Sequence, residues 1–177
     1  MGRFEVRLAT EEDAAGIATV KVLGWQAAYR GLIPDTYLDD MDIQQYIMRT
    51  RSFLSKPTAS IDWVCVRGDS IIGWASVRLT QKGDQDAVPT AELLALYVLA
   101  SFWHQGVGFL IWCNVEAYLK QQSVRSVELW VLEGNTRAQR FYERQGFVLD
   151  GVHKTEIIAG NIELLEHRMC CVLDDNA

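Results

Sequence analysis

Two short runs of this chain carry residues arranged for chemistry. The first is the apolar extended segment Leu93 to Leu99, which leads through a short loop into His104-Gln105-Gly106-Val107-Gly108. An extended segment, a glycine loop and a helix start, in that order, make a seat for a phosphate-like anion. Glycine lets the backbone come close to the anion, and the first N–H groups of a helix lack internal partners and point outward. The second run is Val127 to Phe147. Val127, Leu129 and Val131 alternate with Glu128 and Trp130, a period of two that reads as a half-buried strand. Gly134-Asn135 breaks that strand, and Asn135-Thr136 is an N-cap signal. A short helix follows with Ala138, Phe141 and Tyr142 on one stripe and Gly146 as its stop.

These two runs need a frame to hold them. Phe4 to Leu8 reads as a first strand, and Thr10 with Asp13 three residues on reads as a short-armed capping box. The helix that follows has Ile17, Val20, Leu23 or Gly24, and Ala27 on its buried stripe, and ends around Tyr29 to Gly31. Pro34 starts a second helical region reaching about Leu54, with a break near Asp42. Ile61 to Arg67 and Ser70 to Leu79 read as a hairpin turning at Gly68-Asp69. In its second strand Ile71, Gly73, Ala75, Val77 and Leu79 are expected on one face. Gln81 to Val88 reads as a polar surface loop. Val107, Leu110, Ile111, Val115, Tyr118 and Leu119 form a helical stripe, and Val148 to Ile158 with Ile162 to Val172 read as a closing hairpin. The order β-α-α-β-β-β-α-β-α-β-β predicts a mixed α/β fold, parallel in the middle and antiparallel elsewhere.

Composition bounds the rest. The chain has 177 residues, 49% of them hydrophobic, enough for one domain over 1–177 with a proper core. No linker, repeat or low-complexity run divides it. A formal charge of −6 argues against nucleic acid as a partner and is compatible with a cationic substrate, although solubility alone accounts for it equally well. No window approaches a membrane span, the N-terminus has no apolar signal segment, and Val6 stands where a myristoylation signal wants Ser or Thr. Cys65, Cys113, Cys170 and Cys171 lie in apolar segments without metal-ligand spacing, so buried free thiols in a reducing cytoplasm are expected, and no metal.

Taken together, the two runs resemble the GNAT superfamily of acetyl-CoA-dependent N-acetyltransferases. The glycine loop matches that family's Q/R-x-x-G-x-G/A motif, and Asn135 to Phe147 matches its N-x-x-A-x-x-F-Y-x-x-x-G-F helix. The resemblance covers nearly the whole chain, from Phe4 to Val172. It implies a mixed, twisted sheet whose two central parallel strands part, with the pantetheine arm of acetyl-CoA in the gap. Leu96, Tyr97 and Val98 would then supply the backbone groups that pair with that arm and polarise the thioester carbonyl. The pyrophosphate would rest on the N–H groups of Gln105, Gly106, Val107, Gly108 and Phe109, and Asn135 would reach the cofactor arm as well as cap its helix. Tyr142 matches the family's general acid, and Glu92 matches the position where several members keep a glutamate base. One departure stands out: Trp103 occupies the motif's first position. Backbone donors do not depend on that side chain, so binding is expected to survive, with His104 either compensating near the phosphates or simply an exposed loop histidine.

The acceptor implied is the primary amine of a small molecule or peptide. Trp25 and Tyr29, spaced i, i+4, share a helix face. They form either an aromatic wall for an ammonium group or a hydrophobic lock between helices. Asp150 and Glu156 near the closing hairpin are further candidates to attract a cation. A non-catalytic acyl-CoA sensor or interaction module is open on the same fold. Homodimers are common in the family, and no residue decides that matter.

Overall fold

The computed structural model describes residues 3–56, 60–80 and 89–173. In chain order the elements are β1 (Glu5–Leu8), α1 (Ala14–Tyr29), α2 (Asp35–Asp39), α3 (Ile43–Leu54), β2 (Ser60–Arg67), β3 (Ser70–Thr80), β4 (Thr90–Val98), α4 (Val107–Gln121), β5 (Ser126–Leu132), α5 (Thr136–Arg144), β6 (Val148–Ile158) and β7 (Ile162–Val172). The seven strands form one mixed sheet in the order β1-β2-β3-β4-β5-β7-β6. Only β4 and β5 pair in parallel among the described residues; every other neighbour is antiparallel. That exception follows from α4, whose crossover returns the chain to the sheet in the same direction. The expected polar loop Gln81 to Val88 lies outside the described residues.

Two apolar layers sandwich the sheet. On one face α4 buries Val107, Ile111, Trp112, Val115 and Leu119, each no more than 2% exposed, against Leu93, Val127, Leu129 and Met169. Side chains of this size are worth about 1.5–3 kcal/mol each when fully buried, so α4 is a principal anchor of the sheet. On the other face Val22 of α1 joins Ile33, Leu38, Met41, Leu132 and Leu164, with Trp25, Tyr29 and Tyr37 packed around them. Pro34 and Asp42 act as the N-terminal caps of α2 and α3, and Asp42 accepts from the Gln44 N–H at 2.8 Å. The expected break near Asp42 is therefore a helix start.

Two expectations about faces need correction. On α1 Gly24 is buried while Leu23 and Ala27 are exposed, because the helix turns its small-residue side to the sheet. In β3 the alternation does not run unbroken. Cys65 pairs with Gly73 and Val66 with Ile71, so Ile72 is an extra residue and the two ends of the strand change face. Ile71 accordingly packs on Gly16 of α1, whereas Gly73 faces Ile111 of α4. A second bulge sits in β4, where Ser76 pairs with Ala95 but Val77 pairs with Leu93, leaving Leu94 unmatched.

The start of α1 is held by charge. Asp13 accepts from both guanidinium nitrogens of Arg7 at 2.7 Å and from the Thr10 N–H at 2.8 Å. The hydrogen bonds from Arg7 hold its carboxyl below the usual carboxylate range, against the opposing effect of burial. A depressed carboxylate stabilises the fold above its unfolded pKa and loses that contribution as pH falls through the folded value. Asp13→Asn should lower the unfolding free energy by about 1 kcal/mol at pH 7, Arg7 being partly solvated. In urea titrations the gap between variant and wild type should close once the pH drops below the ordinary carboxylate range.

Candidate functional site

The parallel pairing of β4 and β5 stops early. It runs from Thr90 opposite Ser126 to Leu93 opposite Leu129 and goes no further, although β4 continues to Val98 and β5 to Leu132. The bulge at Leu94 bends β4 away at that point. Beyond it, β4 stays paired to β3 and β5 to β7, so each strand keeps one partner and loses the other. Leu99 donates to Ile72 on the β3 side at 2.9 Å, and alternation therefore turns the N–H and C=O groups of Leu96 and Val98 towards the gap. Backbone groups with no strand opposite them must find other partners. The gap opens into a cavity of about 510 Å³.

At one end of the cavity lies the glycine loop. Gly106 caps α4 from the left-handed region, with φ of 81°. The first helical bond runs from the Leu110 N–H to the Gly106 carbonyl at 2.9 Å, which leaves the N–H groups of Val107, Gly108 and Phe109 free of helical partners. His104 is also left-handed, with φ of 60°, and lines the cavity with Gly106, Val107, Gly108 and Phe109. A Cβ on Gly108 would come within 3.3 Å of the Phe141 ring. Glycine here lets α4 and α5 approach each other across the gap. Gln105 is exposed and its side chain bonds the Ser101 carbonyl at 2.8 Å.

Trp103 is the residue whose behaviour sequence reasoning missed. Its indole N–H donates to the Val98 carbonyl at 2.8 Å, so one of the groups turned towards the gap is already engaged. Arg137, in the first turn of α5, lays its guanidinium 3.2 Å from the centre of the Trp103 ring. Both residues line the cavity, as do Phe141 and Arg144. Arg137 follows the cap residue Asn135 by two positions, but nothing in its spacing indicated that it would cross to the loop before α4.

The remaining predicted residues fall into two groups. Leu96, Tyr97, Val98 and Tyr142 line the cavity. Asn135 is buried beside it as the cap of α5, accepting from the Ala138 N–H at 3.2 Å. Trp25 and Tyr29 stand behind the cavity wall in edge-to-face contact at 5.1 Å, packed into the helical cluster on the α1 side. The Tyr29 hydroxyl is 3.0 Å from that of Tyr97. Burial raises the pKa of Tyr29, Tyr97 and Tyr142, most strongly for the last two. All three phenols therefore stay protonated across the working range and act as hydrogen-bond donors. Glu92 lies on the same sheet face as Tyr97, its carboxylate bonded to Arg78 on β3. Asp150 is committed to Arg168 at 2.7 Å, and Glu156 is exposed on β6. No helix among the described residues is long and apolar enough to cross a membrane.

Comparison with known proteins bears on this geometry. Residues 25–147 match the model of the acetyltransferase (GNAT) family. The chain is 31% identical over 136 residues to an uncharacterised N-acetyltransferase, YuaI, of Bacillus subtilis (strain 168), covering 73% of this chain and 72% of that one. An uncharacterised N-acetyltransferase of Archaeoglobus fulgidus is 26% identical over 148 residues, covering 80% and 91%. In fold, the chain is similar to the PaiA N-acetyltransferase of Thermoplasma acidophilum in complex with coenzyme A, with a TM-score of 0.66 and 22% identity over 93% of this chain and 98% of that one.

The left-handed cap is directly testable. A Cβ on Gly106 meets nothing within 4 Å, so the cost of a side chain there is backbone strain alone. Gly106→Ala should lower the unfolding free energy by about 1 kcal/mol in urea titration, and Gly106→Asn by less, since asparagine tolerates that conformation.

Proposed function

Because the chain belongs to the GNAT family of acetyltransferases, we propose that it transfers an acetyl group from acetyl-CoA to the primary amine of a small molecule or peptide by direct attack. The observation that carries this reading is the parting of β4 from β5 beyond Leu93 and Leu129, with a helix N-terminus at the end of the gap. Members of this family use an acyl-CoA donor. The Leu96 backbone, turned towards the gap, would pair with the donor's amides as a short extra strand does. Val107, Gly108 and Phe109 would offer N–H groups to the pyrophosphate, with His104 beside them. The Val98 carbonyl would be reached only by displacing or sharing the Trp103 indole. Arg137 and Arg144 add positive charge to the cavity wall, which suits a polyanion.

Acetyl transfer to an amine requires two proton movements. An alkylamine with a pKa of about 10.4 is mostly an ammonium near neutrality and must lose a proton before it attacks. On this reading that proton leaves on the sheet face where Glu92 lies. As the carbon–sulfur bond breaks, charge builds on sulfur, and Tyr142 would meet it with a hydrogen bond in a site shielded from water. A phenol whose pKa is raised by burial is a reluctant acid towards a thiolate of about 8.5, so hydrogen bonding rather than early proton transfer is its main contribution.

Thiol release from acetyl-CoA across a panel of amines tests the activity; binding of CoA without turnover on any of them would instead mark a sensor. Tyr142→Phe should slow turnover about 10- to 100-fold while calorimetric affinity for CoA changes little. Unaltered turnover would remove Tyr142 from this role. Gly108→Glu should abolish CoA binding, because its side chain starts 3.3 Å from the Phe141 ring and must crowd the gap between α4 and α5 while adding negative charge beside the loop. Normal CoA binding by a folded Gly108→Glu variant would show that the glycine loop is not the anion seat.

A further inference from the structure

The two edges of the sheet are unlike. β1 is 4 residues long, whereas β6 runs for 11 and among the described residues pairs with β7 alone. Every residue of β6 except Lys154 and Ile158 is exposed, Ile157 to 61%. A long open edge presents unpaired N–H and C=O groups and invites a strand from another chain unless something blunts it. Which groups face outward follows from the ladder. The Glu133 N–H donates to the Leu165 carbonyl at 2.8 Å, so Leu165 turns its backbone towards β5 and away from β6. Thr155, opposite Leu165 in register, therefore faces away from β7, and alternation sends His153 and Ile157 the same way. The Ile158 carbonyl takes the Asn161 N–H at 3.2 Å on the inner side of the hairpin, as that alternation requires. At the other end a bulge closes the edge, with Asp150 Oδ1 accepting from the Val152 N–H at 3.0 Å. The free edge is the regular run 153–158.

Charge along this run is self-complementary. Lys154 and Glu156 flank Thr155 and share the α1 face, because they pair with Glu166 and with Leu164 of the cluster beside α1. A lysine on an edge can guard it by swinging across the open side. Lys154 does not: its ammonium is drawn inward, 3.4 Å from Glu166 Oε2 and 4.3 Å from the centre of the Trp130 ring. An ammonium has three N–H donors, so it can take a second carboxylate from across the edge. Glu156 is exposed and has no ion-pair partner among the described residues.

We propose that the β6 edge is an interface for a second copy of this chain, the two β6 strands pairing antiparallel about a twofold axis at Thr155. In that register Thr155 exchanges backbone hydrogen bonds with the partner's Thr155, and His153 with the partner's Ile157. Outward-facing residues thus meet outward-facing residues along the whole run. Lys154 then stands opposite the partner's Glu156 at a non-hydrogen-bonded pair, where facing side chains are closest. The twofold repeats this contact with the roles exchanged. Moving the axis by one residue to Glu156 sets two carboxylates opposite each other, and moving it to Lys154 sets two ammoniums opposite each other. Like charges directly opposite are destabilising, so Lys154-Thr155-Glu156 specifies one register. The two sheets become continuous, and exposed Ile157 is covered beside the partner's His153. None of this depends on the acetyl-transfer reading.

Sedimentation velocity across the micromolar range tests this, and wild type should show a reversible monomer–dimer equilibrium. Glu156→Lys sets lysine against lysine at both ends of the pairing and should raise the dissociation constant about tenfold or more. Lys154→Glu sets carboxylate against carboxylate and should do the same. The double variant Lys154→Glu/Glu156→Lys restores opposite charges and should return to within about threefold of wild type. Mixed in equal amounts, the two single variants should form a heterodimer that neither forms alone, because one chain then carries both carboxylates and the other both ammoniums. Lys154→Glu also breaks the contact with Glu166, so a second probe leaves Lys154 untouched. Thr155→Cys should cross-link two chains on mild oxidation where wild type does not, since the facing Cα atoms would lie about 5.5 Å apart. Monomeric wild type, or Glu156→Lys that dimerises as wild type does, would overturn the interface. A folded charge-exchanged pair that stays monomeric, or Thr155→Cys that fails to cross-link, would overturn the register.

Discussion

Backbone polar groups in a sheet must be paired, and this sheet leaves some of them unpaired at its centre. β4 and β5 run together as far as Leu93 and Leu129 and then part. The separation is sustained by features that would otherwise look like irregularities. The bulge at Leu94 bends β4 outward, β3 and β7 hold the outer edges of the two strands, and α4 closes the floor with an apolar stripe from Val107 to Leu119. Each strand is secured on one side so that the other side can remain open. A cavity built this way arrives with donors and acceptors already aimed into it.

The same constraint explains the aromatic and cationic residues around the gap. Trp103 and Arg137 reach it from opposite sides, one from the loop before α4 and one from α5, and meet in a face-to-cation contact. The indole also engages the Val98 carbonyl, a local answer to an orphaned acceptor. The Trp at this position is thus more than a replacement for a polar residue at the motif's start. It trades a flexible hydrogen-bonding side chain for one that ties the loop to the end of β4.

Electrostatically, the two sides of the sheet divide the work. The α4 side packs an apolar core around Val107, Ile111, Val115 and Leu119. The α1 side collects phenols and carboxylates: the hydroxyls of Tyr29 and Tyr97 touch, Glu92 is held by Arg78, and Glu166 sits against Lys154 and Trp130. Burial keeps the phenols protonated, and it raises the pKa of Glu166 against the opposing charge of Lys154.

Much of this was legible from the residues alone, because it depends on neighbours in the chain. The two-residue period of Val127 to Val131, the cap at Asn135, the stop at Gly146 and the glycine cap of α4 at Gly106 are local properties. The closing hairpin, Val148–Ile158 with Ile162–Val172, was equally readable from its alternation and its turn. What sequence could not supply was anything that depends on where a bulge reverses a strand or which distant element comes near. The extra residue at Ile72 turns Ile71 and Gly73 to different helices, and a two-residue pattern cannot reveal an insertion of one. The spacing of Arg137 gives no sign that folding will set its guanidinium over the Trp103 ring. Local periodicity and caps determined the elements and the glycine start of α4. The tertiary structure decided which side chains converge, since burial and proximity across the sheet arise only when separate strands and helices are packed together.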